Sequence, residues 1–106
     1  KGGMLPGQLG HLSNYVAAAG PQDIWLQAVS VGEVGVAEAL VQAIDRQVPR
    51  LKILISTSTP AGFARATSSL GSRCSVIPYP FDFPQVVRHM VKEVRPRVYA
   101  CLETEL

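Results

Sequence analysis

Carboxylates are the residues of this sequence whose type and position most favour catalysis. Four of the eight acidic residues fall in segments that follow predicted strands: Glu33, Asp82, Glu103 and Glu105. In a parallel sheet these segments meet at one edge, where ligands bind, although surface loops are polar in any case. A carboxylate placed there can take a proton from an attacking hydroxyl group.

Glu33 lies in AVSVGEV, residues 28–34, where an apolar run gives way to a helical pattern. One interpretation is structural, because a Glu in a first helical turn complements the helix dipole. The other is a general base at the mouth of a cleft. A helix N-terminus lowers the pKa of a carboxylate, whereas burial or a second carboxylate raises it. Gly32 permits close approach by a ligand, and Ser30 is a candidate N-cap.

The turn TSTPAG, residues 57–62, combines three hydroxyl groups with a glycine. Ser58 or Thr59 is expected to cap the next helix, with Pro60 at its first position. Free backbone N–H groups at a helix start also favour an anion, and ordinary capping is the alternative. The turn lacks the GK[ST] element of a P-loop, and the first turn lacks GxGxxG, so NAD binding is not indicated.

The other polar candidates have structural interpretations. Asp82 is expected to be an N-cap for a helix that begins at Pro84. Glu103 and Glu105 share a face of an extended chain, or simply mark a strand end that meets solvent. His11 and His89 have no partner at ligand spacing, so no metal site is predicted.

The pattern of apolar residues predicts alternating strands and helices. Strands are expected at Ile24–Val29, Leu51–Ser56, Cys74–Pro78 and Arg97–Leu102. Strands buried on both faces and joined by crossover helices imply a Rossmann-like parallel open sheet. The apolar positions predicted to form helix faces are Ala37, Leu40, Val41, Ile44 and Val48 in the first helix, and Val87, Met90, Val91 and Val94 in the third. Residues 1–23 form a polar N-terminal segment, with one possible helix over Leu9 to Ala19, and residues 24–106 form the domain.

Composition narrows the class of protein. The chain has 106 residues, 47% hydrophobic and 17% charged, which suits one globular domain. A net charge of +2 with scattered cations does not favour nucleic acid, and no apolar run is long enough to cross a membrane. Cys74 and Cys101 are expected to be buried thiols, and Trp25 and Tyr99 are expected in the core or at an interface. Because the sequence starts and stops abruptly, we expect it to be a piece of a longer protein.

Four motifs, taken in order, carry a resemblance to a known family. IWLQAVSVGEV, ISTSTPAGFARA, PYPFDFP and VRPRVYACLETEL resemble the 3-deoxy-D-manno-octulosonic acid (Kdo) transferases of lipopolysaccharide synthesis, over about residues 24–106. The resemblance implies the N-terminal half of a GT-B glycosyltransferase, built from two Rossmann-like halves. Such an enzyme transfers Kdo from CMP-Kdo to a lipid A precursor with inversion, and uses no cofactor and no active-site metal.

The resemblance also implies roles for individual residues. Glu33 corresponds to the proposed catalytic base, and Glu103 to an acidic residue proposed to help the transition state. A second carboxylate could steady the sugar cation, as in inverting glycosidases. Supporting or acceptor-binding roles are expected for Ser30, Gly32, Ser58, Thr59, Gly62 and Glu105. Arg65 or Arg88 is a weaker candidate for acceptor phosphates.

The sequence departs from the family at several points. Gln27 stands where His is common, and PYPFDFP varies a loop that usually carries Tyr before the Asp. The Trp-Pro that usually follows ETEL, the nucleotide-binding half and the N-terminal anchor are outside the chain, so it is expected to be inactive alone. The expected location is the cytoplasmic face of the bacterial inner membrane.

Two other interpretations remain open. The chain could be a free-standing Rossmann-like module that binds an anion or a protein partner, or part of a GT-B enzyme with another sugar donor. An open sheet edge with apolar surface also predicts self-association of the chain.

Overall fold

The computed structural model describes residues 19–78, 88 and 91–102. Four strands form one sheet in the order β3-β2-β1-β4, and all three neighbouring pairs are parallel. The Rossmann-like parallel sheet that the sequence predicts is therefore confirmed. The strands are β1 (Ile24–Ala28), β2 (Ile53–Thr57), β3 (Ser75–Ile77) and β4 (Val98–Leu102), and the helices between them are α1 (Val31–Gln47) and α2 (Pro60–Leu70), with residues 91–94 also helical.

The main core lies between the sheet and the two long helices. Alternate strand residues face α1 and α2, as the two-residue period of a strand requires. The buried members of this cluster are Leu26, Ala28, Val34, Ala37, Val41, Ile53, Ile55, Ala66, Leu70 and Cys74. Burial raises the pKa of the Cys74 thiol to about 11, so this thiol stays protonated at neutral pH.

Three apolar helix positions predicted to face the core are exposed. On α1, Ala37 and Val41 are buried and Ile44 is partly buried, but Leu40 is 37% exposed and Val48, just past the helix, is 50% exposed. In the helical residues 91–94, Val94 is buried and Val91 is 45% exposed. The apolar stripe of α1 is therefore wider than the surface that covers it.

Strand β4 also corrects the sequence prediction. Central strands β1 and β2 are buried, but Val98, Tyr99 and Cys101 on β4 are exposed. The expectation of a buried thiol is thus confirmed for Cys74 and wrong for Cys101. Tyr99 packs its ring against buried Trp25, with centroids 4.4 Å apart, so Trp25 is a core residue and Tyr99 covers it.

Charged side chains outside the core join α1 to α2 and to the turn that follows α2. Arg65 pairs with Glu38 at 2.9 Å, and the Ser69 hydroxyl also donates to Glu38. These hydrogen bonds, that of Arg65 first, hold the pKa of the Glu38 carboxyl below its usual value. Arg73 pairs with Asp45 at 2.6 Å, which lowers the pKa of that carboxyl.

Parts of the sequence prediction lie outside the described residues. These are residues 1–18 with most of the helix expected there, the loop around Asp82, and the start of the third helix with Val87 and Met90. The domain boundary after residue 23 stays a prediction. Within the described ranges, no helix combines the length and apolar character needed to cross a bilayer.

Candidate functional site

The carboxyl ends of the strands meet at one edge of the sheet. Ala28, the last residue of β1, pairs with Thr57 of β2 and with Leu102 of β4, so three strands end at the same level. Helices α1 and α2 begin just beyond this edge, at Val31 and Pro60. The turns that follow β1 and β2 therefore lie where parallel sheets bind ligands.

Glu33 is fixed at the start of α1. Its carboxylate oxygen Oε1 accepts hydrogen bonds from the backbone N–H of Ser30, at 3.0 Å, and from the Ser30 hydroxyl, at 2.5 Å. The two residues form a capping box, in which the third helical residue reaches back to the N-cap. Glu33 is only 6% exposed. Glu33 thus lies in the first turn of α1, as the structural interpretation requires, and the same bonds fix the carboxylate at the candidate site.

The second turn resolves which hydroxyl caps α2. Thr59 is the N-cap, and its Oγ1 accepts from the backbone N–H of Gly62 at 3.0 Å. Pro60 occupies the first turn, as predicted. Ser58 is therefore not the cap, and its own backbone N–H donates to the carbonyl of Val29 at 3.2 Å.

Gly62 lets the two helix starts approach closely. A Cβ atom at this position would lie 3.0 Å from Thr59 Oγ1 and 3.3 Å from the carbonyl carbon of Ser30. Few side-chain atoms tolerate such contacts, so a glycine suits the position sterically. Gly32, in contrast, is exposed and has open space at its Cβ position.

A chain of polar side chains crosses the buried sheet and was not predicted from the sequence. The Trp25 indole N–H donates to Ser56 Oγ at 2.7 Å, and the Ser56 hydroxyl donates to Gln27 Oε1. Gln27 Nε2 then donates to Ser58 Oγ at 2.8 Å. Gln27 and Ser56 are polar residues in apolar strands, and they are paired in the register of β1 and β2. The presence of these two polar residues in apolar strands was the signal in the sequence that could have indicated the hydrogen-bonded chain.

Thr57 contributes a buried hydroxyl group at the same edge. Within the part of the chain that the structure describes, its Oγ1 is buried and has no hydrogen-bond partner. Buried polar atoms without partners are rare in folded proteins and require an explanation.

The other carboxylate candidates, Asp82, Glu103 and Glu105, lie outside the described residues, and so do His11 and His89, for which structural roles were predicted. The structure brings together Ser30, Glu33, Ser58, Thr59 and Gly62.

The two arginines proposed for acceptor phosphates differ in their surroundings. Arg65 binds Glu38 on the surface between the helices, whereas Arg88 is exposed. Across residues 19–78, 88 and 91–102, no group of three His, Cys, Asp or Glu residues could hold a metal ion.

Comparisons with known proteins find relatives of this chain. The family model described as 3-deoxy-D-manno-octulosonic-acid transferase (kdotransferase) matches residues 5–106. A 3-deoxy-D-manno-octulosonic acid transferase of Haemophilus influenzae is 35% identical over 86 residues, which are 81% of this chain and 20% of that protein. A bifunctional glycosyltransferase/methyltransferase of Fusobacterium nucleatum is 31% identical over 85 residues, 78% of this chain and 13% of that protein. No solved structure matches significantly. The chain thus spans a fifth or less of the length of these two relatives.

Proposed function

This chain belongs to the family of Kdo transferases, which are glycosyltransferases, and we propose that it is the acceptor-side part of such an enzyme. The proposed enzyme transfers Kdo from CMP-Kdo to a lipid A precursor and inverts the anomeric centre. It has the GT-B architecture, with the donor site in a second Rossmann-like half. Its partners are the two substrates and the inner membrane surface, on the cytoplasmic face.

The observation that carries the proposal is the position of Glu33. It is a buried carboxylate at the carboxyl edge of the sheet, and two hydrogen bonds from Ser30 hold one of its oxygens. A general base must be fixed relative to the proton that it takes, and the capping box provides that orientation. Burial within a site also strengthens the interaction of the carboxylate with its surroundings.

Glu33 is the base in the proposed reaction. A hydroxyl group of the acceptor sugar attacks the anomeric carbon of Kdo and transfers its proton to the Glu33 carboxylate. A new carbon–oxygen bond forms while the bond between that carbon and the CMP phosphate oxygen breaks, so CMP leaves as an anion. In this proposal Glu103 steadies the positive charge that develops on the donor sugar.

The remaining candidates either support the acceptor or hold the site in place. Gly32 leaves open space beside Glu33, and Gly62 permits the close approach of the two helix starts. Ser58 offers a hydroxyl group at the edge, whereas Ser30 and Thr59 act on the protein itself by fixing Glu33 and α2. Glu105 stays a proposal from sequence alone.

The test is Glu33→Gln in the full-length protein. Glutamine keeps a side-chain oxygen for the Ser30 N–H but cannot accept a proton at neutral pH. Kdo transfer from CMP-Kdo should fall about 10²- to 10⁴-fold, while stability changes by no more than about 1 kcal/mol. Glu38→Gln, on the outer face of the same helix, is the matched control and should transfer Kdo normally. Near wild-type transfer by Glu33→Gln would disprove the assignment of the base.

Two observations favour alternatives. The start of α2 follows the end of β2, and the backbone N–H groups of a helix start suit a module that binds an anion without catalysis. The name of the Fusobacterium relative specifies a glycosyltransferase without a donor, which suits a GT-B enzyme with another sugar. Assays of the full-length protein with CMP-Kdo and with other activated sugars distinguish these functions from the proposed one.

A further inference from the structure

The polar chain across the sheet has a fixed direction. An indole N–H can donate but cannot accept, so Ser56 Oγ must accept from Trp25. Ser56 has a single hydroxyl proton, and it goes to Gln27 Oε1. The Gln27 amide is thereby oriented with its nitrogen towards Ser58, to which it donates at 2.8 Å.

We call this series of hydrogen bonds, from Trp25 through Ser56 and Gln27 to Ser58, the relay. Its direction determines which hydrogen bonds Ser58 can form. Ser58 Oγ accepts from Gln27, so its own proton is available to an acceptor outside the relay. We propose that Ser58 donates a hydrogen bond to an oxygen of the acceptor sugar or its phosphate, and that Gln27 is the positioning residue that fixes Ser58 as a donor. The choice of ligand rests on the proposed function; the direction of the relay does not.

Burial explains why the relay can hold its direction. Trp25 and Ser56 are 0% exposed and Gln27 is 3% exposed, whereas Ser58 is half-buried at the edge of the sheet. Inside the sheet no water competes for these bonds, and an unpaired polar group there is costly. The relay therefore connects a rigid interior to one partly accessible hydroxyl group.

The location of Ser58 suits contact with the same ligand as Glu33. The Ser58 N–H donates to the carbonyl of Val29, the residue before Ser30, and Ser30 holds Glu33. The turn that carries Ser58 is thus hydrogen-bonded to the turn that leads to the proposed base. A hydroxyl donor next to a base can orient the acceptor while the base removes its proton.

The kinetic test uses the full-length protein with CMP-Kdo and a lipid A precursor. Ser58→Ala should lower kcat/KM about tenfold to a hundredfold, through the KM of the acceptor and not that of CMP-Kdo. Ser68→Ala, on the exposed side of α2, is the matched control and should leave both constants unchanged.

A double-mutant cycle separates positioning from mere packing. Gln27→Met keeps the length of the side chain and removes both of its hydrogen bonds, so it should also lower kcat/KM. If Gln27 acts through Ser58, the double variant should be no worse than Ser58→Ala alone. Gln27→His should recover most of the activity lost in Gln27→Met, because a neutral imidazole also has one acceptor and one donor.

A spectroscopic measurement tests the relay without an activity assay. In the full-length protein, the side-chain amide protons of Gln27 should exchange slowly with solvent. Ser58→Ala should accelerate this exchange, and Ser68→Ala should not. This measurement also decides the matter if Gln27→Met fails to fold.

The results of these experiments distinguish failure of the inference about Ser58 and Gln27 from failure of the proposed function. Ser58→Ala with wild-type kinetics, fully additive effects of the two substitutions, or unchanged Gln27 exchange in Ser58→Ala would overturn the inference and leave the proposed function standing. A wild-type protein that does not transfer Kdo would overturn the proposed function and the acceptor assignment built on it. In that case slow Gln27 exchange would still support the relay itself.

Discussion

Glu33 combines two roles that appear opposed at the level of the sequence. As a helix-start carboxylate it satisfies the backbone N–H of Ser30 and complements the dipole of α1. As a proposed base it must take a proton from a substrate. The capping bonds reach Oε1, so the structural role sets the position from which the chemical role would be carried out. The basicity needed for catalysis must then come from the substrate and from the other groups at the edge.

Gly62 gives a prediction at the same scale. Replacing a helical Gly by Ala normally stabilises a protein by about 0.5–1 kcal/mol, but the Cβ atom introduced by Gly62→Ala would crowd Thr59 Oγ1 at 3.0 Å and the Ser30 backbone at 3.3 Å. Overpacking of this kind costs about 1–3 kcal/mol, so Gly62→Ala should reduce the free energy of unfolding by about 1 kcal/mol. Urea unfolding provides the measurement.

Gly35→Ala is the matched control for this prediction. Its Cβ would meet only the Arg65 guanidinium at 3.7 Å, which is ordinary contact. This variant should therefore be more stable than the wild type. Equal stabilisation by both substitutions would show that the two helix starts are free to separate.

At the scale of the elements, the features that neighbouring residues determine could be predicted from the sequence. The features that depend on contacts between distant residues could not. The strands β1 and β2 and the starts of both helices follow from short apolar runs, Ser30, Thr59 and Pro60, because these signals act within a few residues. Burial of Val98 and Cys101 was predicted wrongly, since the exposure of a strand depends on what covers it. The relay escaped prediction because it requires the register of Gln27 against Ser56, which is set by pairing across the sheet.

The ion pairs that Glu38 and Asp45 of α1 form with Arg65 and Arg73 predict how stability depends on pH. The folded state lowers the pKa of Glu38 and of Asp45 below their ordinary values of 4.5 and 3.8. A lowered pKa means that the stabilisation is fully present above those values and is lost as the pH falls through the folded pKa. Urea unfolding should therefore show a loss of stability as the pH falls below about 4.5.

Substitution of Glu38 tests whether its ion pair with Arg65 causes this loss of stability at low pH. Glu38→Gln should destabilise the protein at pH 7, by about 0.2–1 kcal/mol as for exposed pairs. The difference from the wild type should then shrink as the pH falls, because the wild-type carboxyl becomes neutral too. A difference that stays constant down to the lowest pH would mean that the Arg65 pair contributes nothing through charge. Glu93→Gln, an exposed carboxylate on the helical residues 91–94, is the control.

At the scale of the whole molecule, the parallel sheet places the candidate site at the carboxyl ends of its strands. Strand β4 lies at the side of the described sheet, away from those strand ends. Because every described strand runs in the same direction, the starts of α1 and α2 collect at one end of the sheet. Among the described strands, β4 is an edge, and it carries Val98 at 54% and Tyr99 at 40% exposure. An exposed apolar edge strand is a template for pairing with another chain. This surface suits a further part of the enzyme or a second copy.

The 106-residue chain should therefore associate with itself through β4. Light scattering should show a mass that rises with protein concentration, because strand edges and apolar side chains both favour pairing. Val98→Lys places a charge on the edge and should weaken this association at least about tenfold. Val36→Lys is the matched control, since Val36 is 49% exposed but lies on α1, away from the edge. A chain that stays monomeric at high concentration, or that responds equally to both substitutions, would show that β4 does not mediate association.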